Sequence, residues 1–465
     1  MHIHIMPIHE TNDKGLYLKE DASVEFGTIQ FIQQEKELVV FVGMNKAKIS
    51  LEDVRFLGGV CRKSLHKMKA ATVSIDFLTL ASYLTHLELE QIVSGFMEGW
   101  YLAAYQFLFY KQAEHRNELI VQWADERWKV YDREARIRAN AVNVARDLCN
   151  EPANKLTPTS YAEKIKQLFY ETDVTVQVME GDALNEVDFP GVYAVSKGSN
   201  EQAKLVVLTL ARDVAKDKIA LVGKGVTFDS GGTNVKAGSD IGEMKMDMGG
   251  SAAVVGAMKL LADSAIPAHV VAILPLVENV ADGNAFLPSD VLTYRNGLHV
   301  EVGNTDAEGR LILADGLLYA QSLGAKTMID IATLTGSIGS ALGLKAAGVF
   351  SNHEADLWHY KQLGEQTGDY IWPMPVYDDY LYYLKSDCAD VNNMSRSSFG
   401  GAITAALFLK QFIKHDLKWV HIDMANTVRP WREQGYYVAG ASGFGVRLLV
   451  EMIKTEIRHE FDRNE

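Results

Sequence analysis

KIALVGKGVTFDSGG, Lys218 to Gly232, passes from an apolar, β-branched stretch straight into a glycine-rich one. Its first part, Lys218 to Val222, predicts a buried strand, because consecutive apolar residues leave no polar face for solvent. Four comparable runs, Leu205 to Leu210, His269 to Leu274, Thr327 to Ile331 and Trp419 to Met424, alternate with amphipathic helical segments from Ser160 onward. Such strands separated by helices predict an α/β fold with a mainly parallel, doubly wound sheet covered on both faces. In sheets of this kind ligands gather beyond the carboxyl ends of the strands. Lys224 and Asp229 follow one predicted strand, and Thr333 to Gly336 follow another. Both loops are therefore expected to open on the edge that carries a site.

Upstream, strand-like runs at Leu38 to Val42, Val73 to Phe77 and Leu119 to Trp123 and a helical pattern over about Leu87 to Lys111 predict a smaller α/β domain. REARIRANAVNVARDLCN, ending at Asn150, keeps helical periodicity without a breaker, and EPANKLTPTS then supplies prolines and turn residues. The boundary is placed there, giving an N-terminal domain over 1–140 and a larger domain over 141–465. At 465 residues, 48% apolar and 23% charged, the chain suits two globular domains. A net charge of -14, spread along the sequence, works against attraction to nucleic acid or anionic lipid. Cys61, Cys149 and Cys388 form neither a disulfide framework nor a metal knuckle, which fits a reducing cytoplasm. No stretch reads as a signal peptide or membrane span.

The chemistry lies in three segments: GKGVTFDSGG from Gly223, KMDMGG from Lys245 and NTDAEGR from Asn304. They bring carboxylates Asp229, Asp247, Asp306 and Glu308 together with Lys224, Lys236 and Arg310. Four gathered negative charges cannot all stay ionised without compensation, and two divalent cations would balance them. Nucleotide-loop templates fail, because Phe228 stands where GxGxxG needs glycine and Lys224-Gly225 stands where a P-loop needs Lys-Ser or Lys-Thr. A lysine binds metal only as the neutral amine. Removing its proton at neutral pH costs roughly 4–5 kcal/mol, against about 10 kcal/mol or more that a good divalent site returns. Asp306 and Glu308 stand two apart, so an extended backbone would point both to one side. LILADGLLYAQSLG has helical spacing, so Gly309 and Arg310 are expected to open a helix, where an anion would compensate the first-turn arginine. Asp247, taken alone, reads as a helix cap. His421 reads as a satisfied core histidine. Carboxylate-dominated sites favour Mn, Mg, Co or Zn over copper.

These segments, with Lys224 followed at spacings of 5, 12, 23, 82 and 84 by Asp229, Lys236, Asp247, Asp306 and Glu308, resemble the leucyl aminopeptidase (cytosol aminopeptidase) family of dinuclear metallopeptidases. NTDAEGR is that family's signature heptad and is complete here. Supporting similarity runs through ARDLCNEPANKLTP, ENVADGNAFLPSDV, DIATLTG, FGGAITAALFL and WVHIDMA, covering essentially everything after residue 140.

The resemblance implies one metal site from Lys224, Asp229, Asp247 and Glu308, and a second from Asp229, Asp306 and Glu308, with Mn or Zn first among the ions and Mg or Co next. It implies a water activated between the ions, Lys236 as donor to the oxyanion, and Arg310 as anchor of a bicarbonate ion that relays the proton. Backbone groups of Leu334 and Gly336 would align the substrate, a peptide with a free N-terminus, while Met244 and Thr333 would line the pocket for its first side chain. For Met244, plain core packing is an equal reading. A cytoplasmic homohexamer with a leucine-like preference is also implied. Near the C-terminus HIDMANT and GASGFGV depart from the family's usual glycine and proline, which bears on side-chain preference. Two rivals stand beside this reading. One is a two-metal phosphoesterase, against which the lysine ligand and the heptad argue; the other is a DNA-binding regulator, which the acidic balance disfavours.

Overall fold

The computed structural model describes residues 2–9, 23–34, 37–68, 70–112, 118–212, 217–238 and 240–464. The chain divides into two compact units, Met1–Asn143 with Arg432–Ala439, and Val144–Trp431 with Gly440–Glu465.

In the first unit, β1 (His2–Ile8), β2 (Ile29–Gln34), β3 (Glu37–Gly43), β4 (Ala70–Ile75) and β5 (Glu118–Gln122) form one sheet in the order β2-β3-β1-β4-β5. Only the β2/β3 hairpin is antiparallel. Helices α1 (Leu51–Ser64), α2 (Phe77–Tyr83) and α3 (Leu89–Ala103) cover one face, burying Ile3, Ile5, Val40, Leu57, Val73 and Phe96 in a common core. Two expectations shift here. Phe77 begins α2 instead of ending a strand, because Asp76 accepts the Thr79 N–H and caps a helix at that point. The long helix stops at Ala103, short of Lys111. Arg432–Ala439, assigned by sequence to the larger domain, belongs with this unit, where buried Tyr436 donates its hydroxyl to Glu52 at 2.7 Å. Helix α4 (Lys129–Asn150) carries the chain past the division.

The second unit opens with α5 (Pro158–Phe169), β6 (Thr175–Met179), α6 (Pro190–Ser196), β7 (Lys204–Ala211), β8 (Ile219–Gly223) and β9 (Gly225–Asp229). It continues through α7 (Gly249–Asp263), β10 (His269–Asn279), β11 (Val291–Thr293), β12 (His299–Glu301), α8 (Glu308–Ser322), β13 (Thr327–Ala332), α9 (Gly336–Leu342) and β14 (Ala347–Ser351). It closes with α10 (Leu357–Thr367), β15 (Ile371–Pro373), β16 (Val391–Asn392), α11 (Gly401–Lys410), β17 (Lys418–Asp423) and α12 (Val446–Asn464). The main sheet runs β15-β14-β17-β13-β8-β10-β7-β6, with β9 added on β10. Its centre, β17-β13-β8-β10, is parallel, and antiparallel pairs flank it on both sides.

Successive residues of a strand face opposite ways. Val222 meets Gly316 of α8, whereas the next residue, Gly223, meets Ser251 of α7, so the two helices cover opposite faces of β8. The predicted α/β sheet is thus present, and its central strands are buried on both sides as their unbroken apolar runs required. Cys61 and Cys149 are buried thiols and Cys388 is exposed. Among the described residues no helix is long and apolar enough to cross a membrane.

Candidate metal centre

The parallel strands β8 and β13 end side by side, and the glycine-rich stretch that follows β8 is a bend and a second strand, not a loop throughout. Lys224 occupies the bend, its N–H bonded to Ile331 O (3.2 Å) and its carbonyl accepting from Ser251 N (2.8 Å). Asp229 is the last residue of β9, in register with Asn279 at the end of β10. This works because β10 is long: it pairs first with β8 and then with β9. Asp247 follows a short 3-10 helix, Ile241–Met246, and stands just ahead of α7. That helix can start against β13 only with glycine at 250, where a Cβ would lie 2.0 Å from Ile331 O. Asp247 does not cap α7. Its Oδ1 accepts instead from Thr333 Oγ1 at 2.8 Å.

Asp306 and Glu308 do not sit on an extended backbone. A turn carries Asp306, and Glu308 is already the first residue of α8, with Gly309 and Arg310 in its first turn. The chain curls there because buried Asn393 accepts the N–H groups of Gly303 and Asn304 on Oδ1 and donates to the carbonyls of Asn304 and Ala307. The turn still gathers Asp229, Asp306 and Glu308 so that a ligand atom from each lies within 4.8 Å of the others.

Lys224 Nζ, buried, lies 2.8 Å from Asp247 Oδ2 and 2.8 Å from Glu308 Oε1, and donates to Thr333 O at 3.0 Å. Lys236 Nζ lies 2.7 Å from Asp229 Oδ2 and 2.5 Å from Asp306 Oδ1. Two ammonium groups thus face four carboxylates. Glu308 Oε1, Asp247 Oδ2 and Asp306 Oδ1 are each met by one of these ammonium groups, and among the described residues the buried Glu308 Oε2 has no partner. Four carboxylates sharing two cations, with a buried oxygen left over, are costly. Divalent cations would satisfy them, and the donor set of oxygens plus one amine nitrogen suits Mn, Mg, Co or Zn.

The ionisation pattern reflects the crowding. Burial pushes Asp229 up to about 6, with Glu308 adding to the push and Lys224 and Lys236 opposing it. Burial likewise holds Asp247 well above the carboxylate range against the pull of Lys224. Glu308 goes the other way: burial would raise it, but Lys224 and Lys236 outweigh that and keep it ionised. For Lys224, burial favours the neutral amine, yet Asp247, Glu308 and Asp229 together raise it above the ordinary lysine value.

Arg310 is also buried. Its guanidinium donates to Asn393 O at 2.7 Å, and burial lowers its pKa to about 10. Among the described residues its Nε has no partner and no carboxylate pairs with it, so a buried cation is left to be met by an anion. Thr333 and Leu334 follow β13, and Gly336 opens α9. Met244 is half-buried just before Asp247, and its carbonyl accepts the Asp247 N–H at 3.2 Å. The structure thus brings Lys224, Asp229, Lys236, Asp247, Asp306, Glu308 and Thr333 into direct contact, and sets Arg310, Leu334, Gly336 and Met244 around them.

Sequence reading passed over the neutral scaffold. Thr305 Oγ1 donates to Gly231 O (2.6 Å) and accepts from Asn234 N (2.8 Å), while Asn234 Oδ1 accepts from Thr305 N (2.9 Å), lacing two acidic segments together. Asp423, fully buried at the end of β17, accepts from Leu334 N, Thr335 N, Thr335 Oγ1 and Ala425 N and so sets the course of the loop after β13. A carboxylate set between apolar residues, as Asp423 is between Ile422 and Met424 in WVHIDMA, was the available signal. His421 is buried as expected, with Nδ1 on Asp330 Oδ1 at 2.5 Å, but its Nε2 has no partner among the described residues.

The profile of the cytosol aminopeptidase family, catalytic domain, matches residues 143–450. The chain belongs to the cytosol aminopeptidase family. It is 37% identical over 468 residues to a probable cytosol aminopeptidase of Rickettsia felis, covering 97% of this chain and 92% of that protein. A probable cytosol aminopeptidase of Aquifex aeolicus is 39% identical over 371 residues, 78% and 74% of the two chains. Among solved structures, the bottromycin maturation enzyme BotP in complex with Mn superposes with a TM-score of 0.89 at 29% identity, covering 98% of this chain and 99% of that one. As a member of the cytosol aminopeptidase family the chain is a peptidase of the aminopeptidase class.

Proposed function

We propose that this aminopeptidase removes the N-terminal residue, leucine-like by preference, from peptides with a free amine, using two divalent metal ions. The observation that carries the reading is the meeting of Asp229, Asp306 and Glu308 within ligand distance, beside a buried lysine that has two carboxylates and a carbonyl for neighbours. Lys224, Asp229, Asp247 and Glu308 would hold one ion, and Asp229, Asp306 and Glu308 the other. Manganese heads the candidates, then zinc, with magnesium and cobalt behind; a manganese complex of a structural relative supports that order. Bound ions would supply Lewis acidity toward a peptide carbonyl and a more acidic water.

The chain's own groups do the rest. Lys236 is partly exposed at the rim; burial works against its charge, but Asp229 and Asp306 outweigh that and raise its pKa, so it stays charged and can donate to an oxyanion as negative charge develops. Arg310, with no carboxylate of its own, holds an anion, and bicarbonate is the proton-relaying candidate. The N–H of Leu334 is taken up by Asp423, which leaves its carbonyl and the exposed backbone of Gly336 to align the substrate. Thr333 and Met244 would border the first side chain.

A cytoplasmic homohexamer is proposed with it, and no nucleic acid or membrane partner, in keeping with the net charge of -14. Sedimentation of the purified chain tests the assembly. The reading itself is tested with leucine p-nitroanilide. Hydrolysis should appear with Mn²⁺, vanish with a chelator and fail when the leucine amine is acetylated; equal cleavage of the acetylated compound would rule out an aminopeptidase.

A further inference from the structure

Asn279 closes β10 and is fully buried. Its Nδ2 donates to Asp229 Oδ1 at 2.8 Å and to Thr305 O at 3.0 Å, while its Oδ1 has no partner among the described residues. Turning the amide over would set its oxygen against both acceptors, so these two bonds fix its orientation. A buried amide oxygen left unpaired costs roughly 1–3 kcal/mol. A leucine, with the same number of side-chain heavy atoms, would carry no such cost. What the amide supplies, and a leucine could not, is the pair of donor bonds.

Asp229 Oδ1 also accepts the Gly231 N–H at 2.9 Å. With two donors on Oδ1, the oxygen left to face the other charged groups is Oδ2, 2.7 Å from Lys236 Nζ. Glu308 differs: its Oε1 meets Lys224 Nζ at 2.8 Å, and its Oε2 has no partner among the described residues. The second bond of Asn279 reaches the carbonyl of Thr305, the residue just before Asp306. One side chain therefore ties the end of β9 to the turn that carries the other acidic residues.

We propose that Asn279 is a positioning residue: it confines Asp229 to a single free oxygen, Oδ2, and fixes that oxygen relative to Asp306 and Glu308. The inference rests on the metal reading given above. Hydrogen bonds behind a ligand typically alter metal affinity by about 10–100-fold.

The test is calorimetric titration of Mn²⁺ into the full, demetallated chain, with electron paramagnetic resonance of the loaded protein. Asn279→Ala and the apolar Asn279→Leu should bind Mn²⁺ about 10–100-fold more weakly than the unaltered chain, and their Mn²⁺ spectra should change. Asn352→Ala serves as a control for lost stability, because Asn352 makes a similar pair of bonds to Leu417 O and Trp419 N away from the acidic cluster. It should melt earlier yet keep its Mn²⁺ affinity. Either Asn279 variant with unaltered affinity and spectrum, or an equal affinity loss in Asn352→Ala, overturns the positioning role alone. An unaltered chain that takes up no Mn²⁺ overturns the metal reading, and this inference with it.

Discussion

Lys224 Nζ stands 2.8 Å from both Asp247 and Glu308, and the two carboxylates between them hold its proton more firmly than water would. A lysine so placed has two possible states: an ammonium that balances the acidic cluster, or a neutral amine that shares it with a cation. Passing from one to the other releases a proton. Titration of Mn²⁺ at neutral pH, repeated in buffers of different ionisation enthalpy, should therefore register proton release on binding, and affinity should rise with pH. In Lys224→Met that release should fall by about one proton per chain. Binding without any proton release would mean that Lys224 keeps its proton and is not a ligand.

Asp229 gives the metal-free protein a pH dependence of predictable sign. Its folded pKa, about 6, lies above the ordinary aspartate value of 3.8. A carboxyl raised in this way holds its proton more tightly when folded, so its contribution to stability is complete below the unfolded value and is lost as pH climbs through about 6. In a chelator, thermal midpoints should fall between about pH 4 and pH 6 from this group. Asp229→Asn cannot ionise and should flatten that part of the curve. A variant curve parallel to the unaltered one would place the titration elsewhere.

Lys236 bridges Asp229 and Asp306 from the rim, and its side chain retains 24% exposure. That position suits a donor to an incoming carbonyl better than a structural counter-ion. Lys236→Ala should lower kcat by about 10²–10³, the loss seen when an oxyanion donor is removed, while KM changes little and Mn²⁺ content stays at the unaltered level. Loss of bound Mn²⁺ in place of kcat would make Lys236 part of the metal site's support.

The sequence carries much of this fold and site, for reasons that differ from residue to residue. The central strands were visible because burial on both faces demands unbroken apolar runs, and Leu205 to Leu210 differs from the observed Lys204–Ala211 only at its ends. β10 was seen only to Leu274, because Pro275 breaks the run. It continues to Asn279 because Pro275, which has no N–H to give, still accepts through its carbonyl side of the ladder, and β9 takes up the remaining residues. The charged residues of the cluster were legible because their cost needs an explanation wherever they meet. Asn279, Thr305, Asn393 and Asp423 were not, since an asparagine or threonine is unremarked in any loop until the carbonyl or carboxylate it serves is placed beside it by strands distant in sequence. The curl at Asp306 belongs to the same class: Asn393 imposes it from 83 residues beyond Arg310.

Gly309 offers a test that separates the site from the fold. It occupies the first turn of α8, and a Cβ there would lie 2.7 Å from Lys224 Cε and Nζ. Those atoms are the far end of a flexible side chain, so the backbone need not move. Alanine is also worth up to about 1 kcal/mol over glycine within a helix, which offsets much of the strain. The displaced group is nevertheless the amine that meets Asp247, Glu308 and Thr333 O. Gly309→Ala should therefore keep a thermal midpoint in chelator within a few degrees of the unaltered chain, yet bind Mn²⁺ more weakly and hydrolyse leucine p-nitroanilide slowly. Gly316→Ala makes the contrast, because its Cβ would meet Val222 Cγ1 at 2.6 Å inside the core. That variant should lose stability by about 1–3 kcal/mol, as overpacking does, with its Mn²⁺ affinity largely kept. If Gly309→Ala binds Mn²⁺ and turns over substrate normally, the position of the Lys224 amine does not matter to the site, and its assignment as a ligand fails.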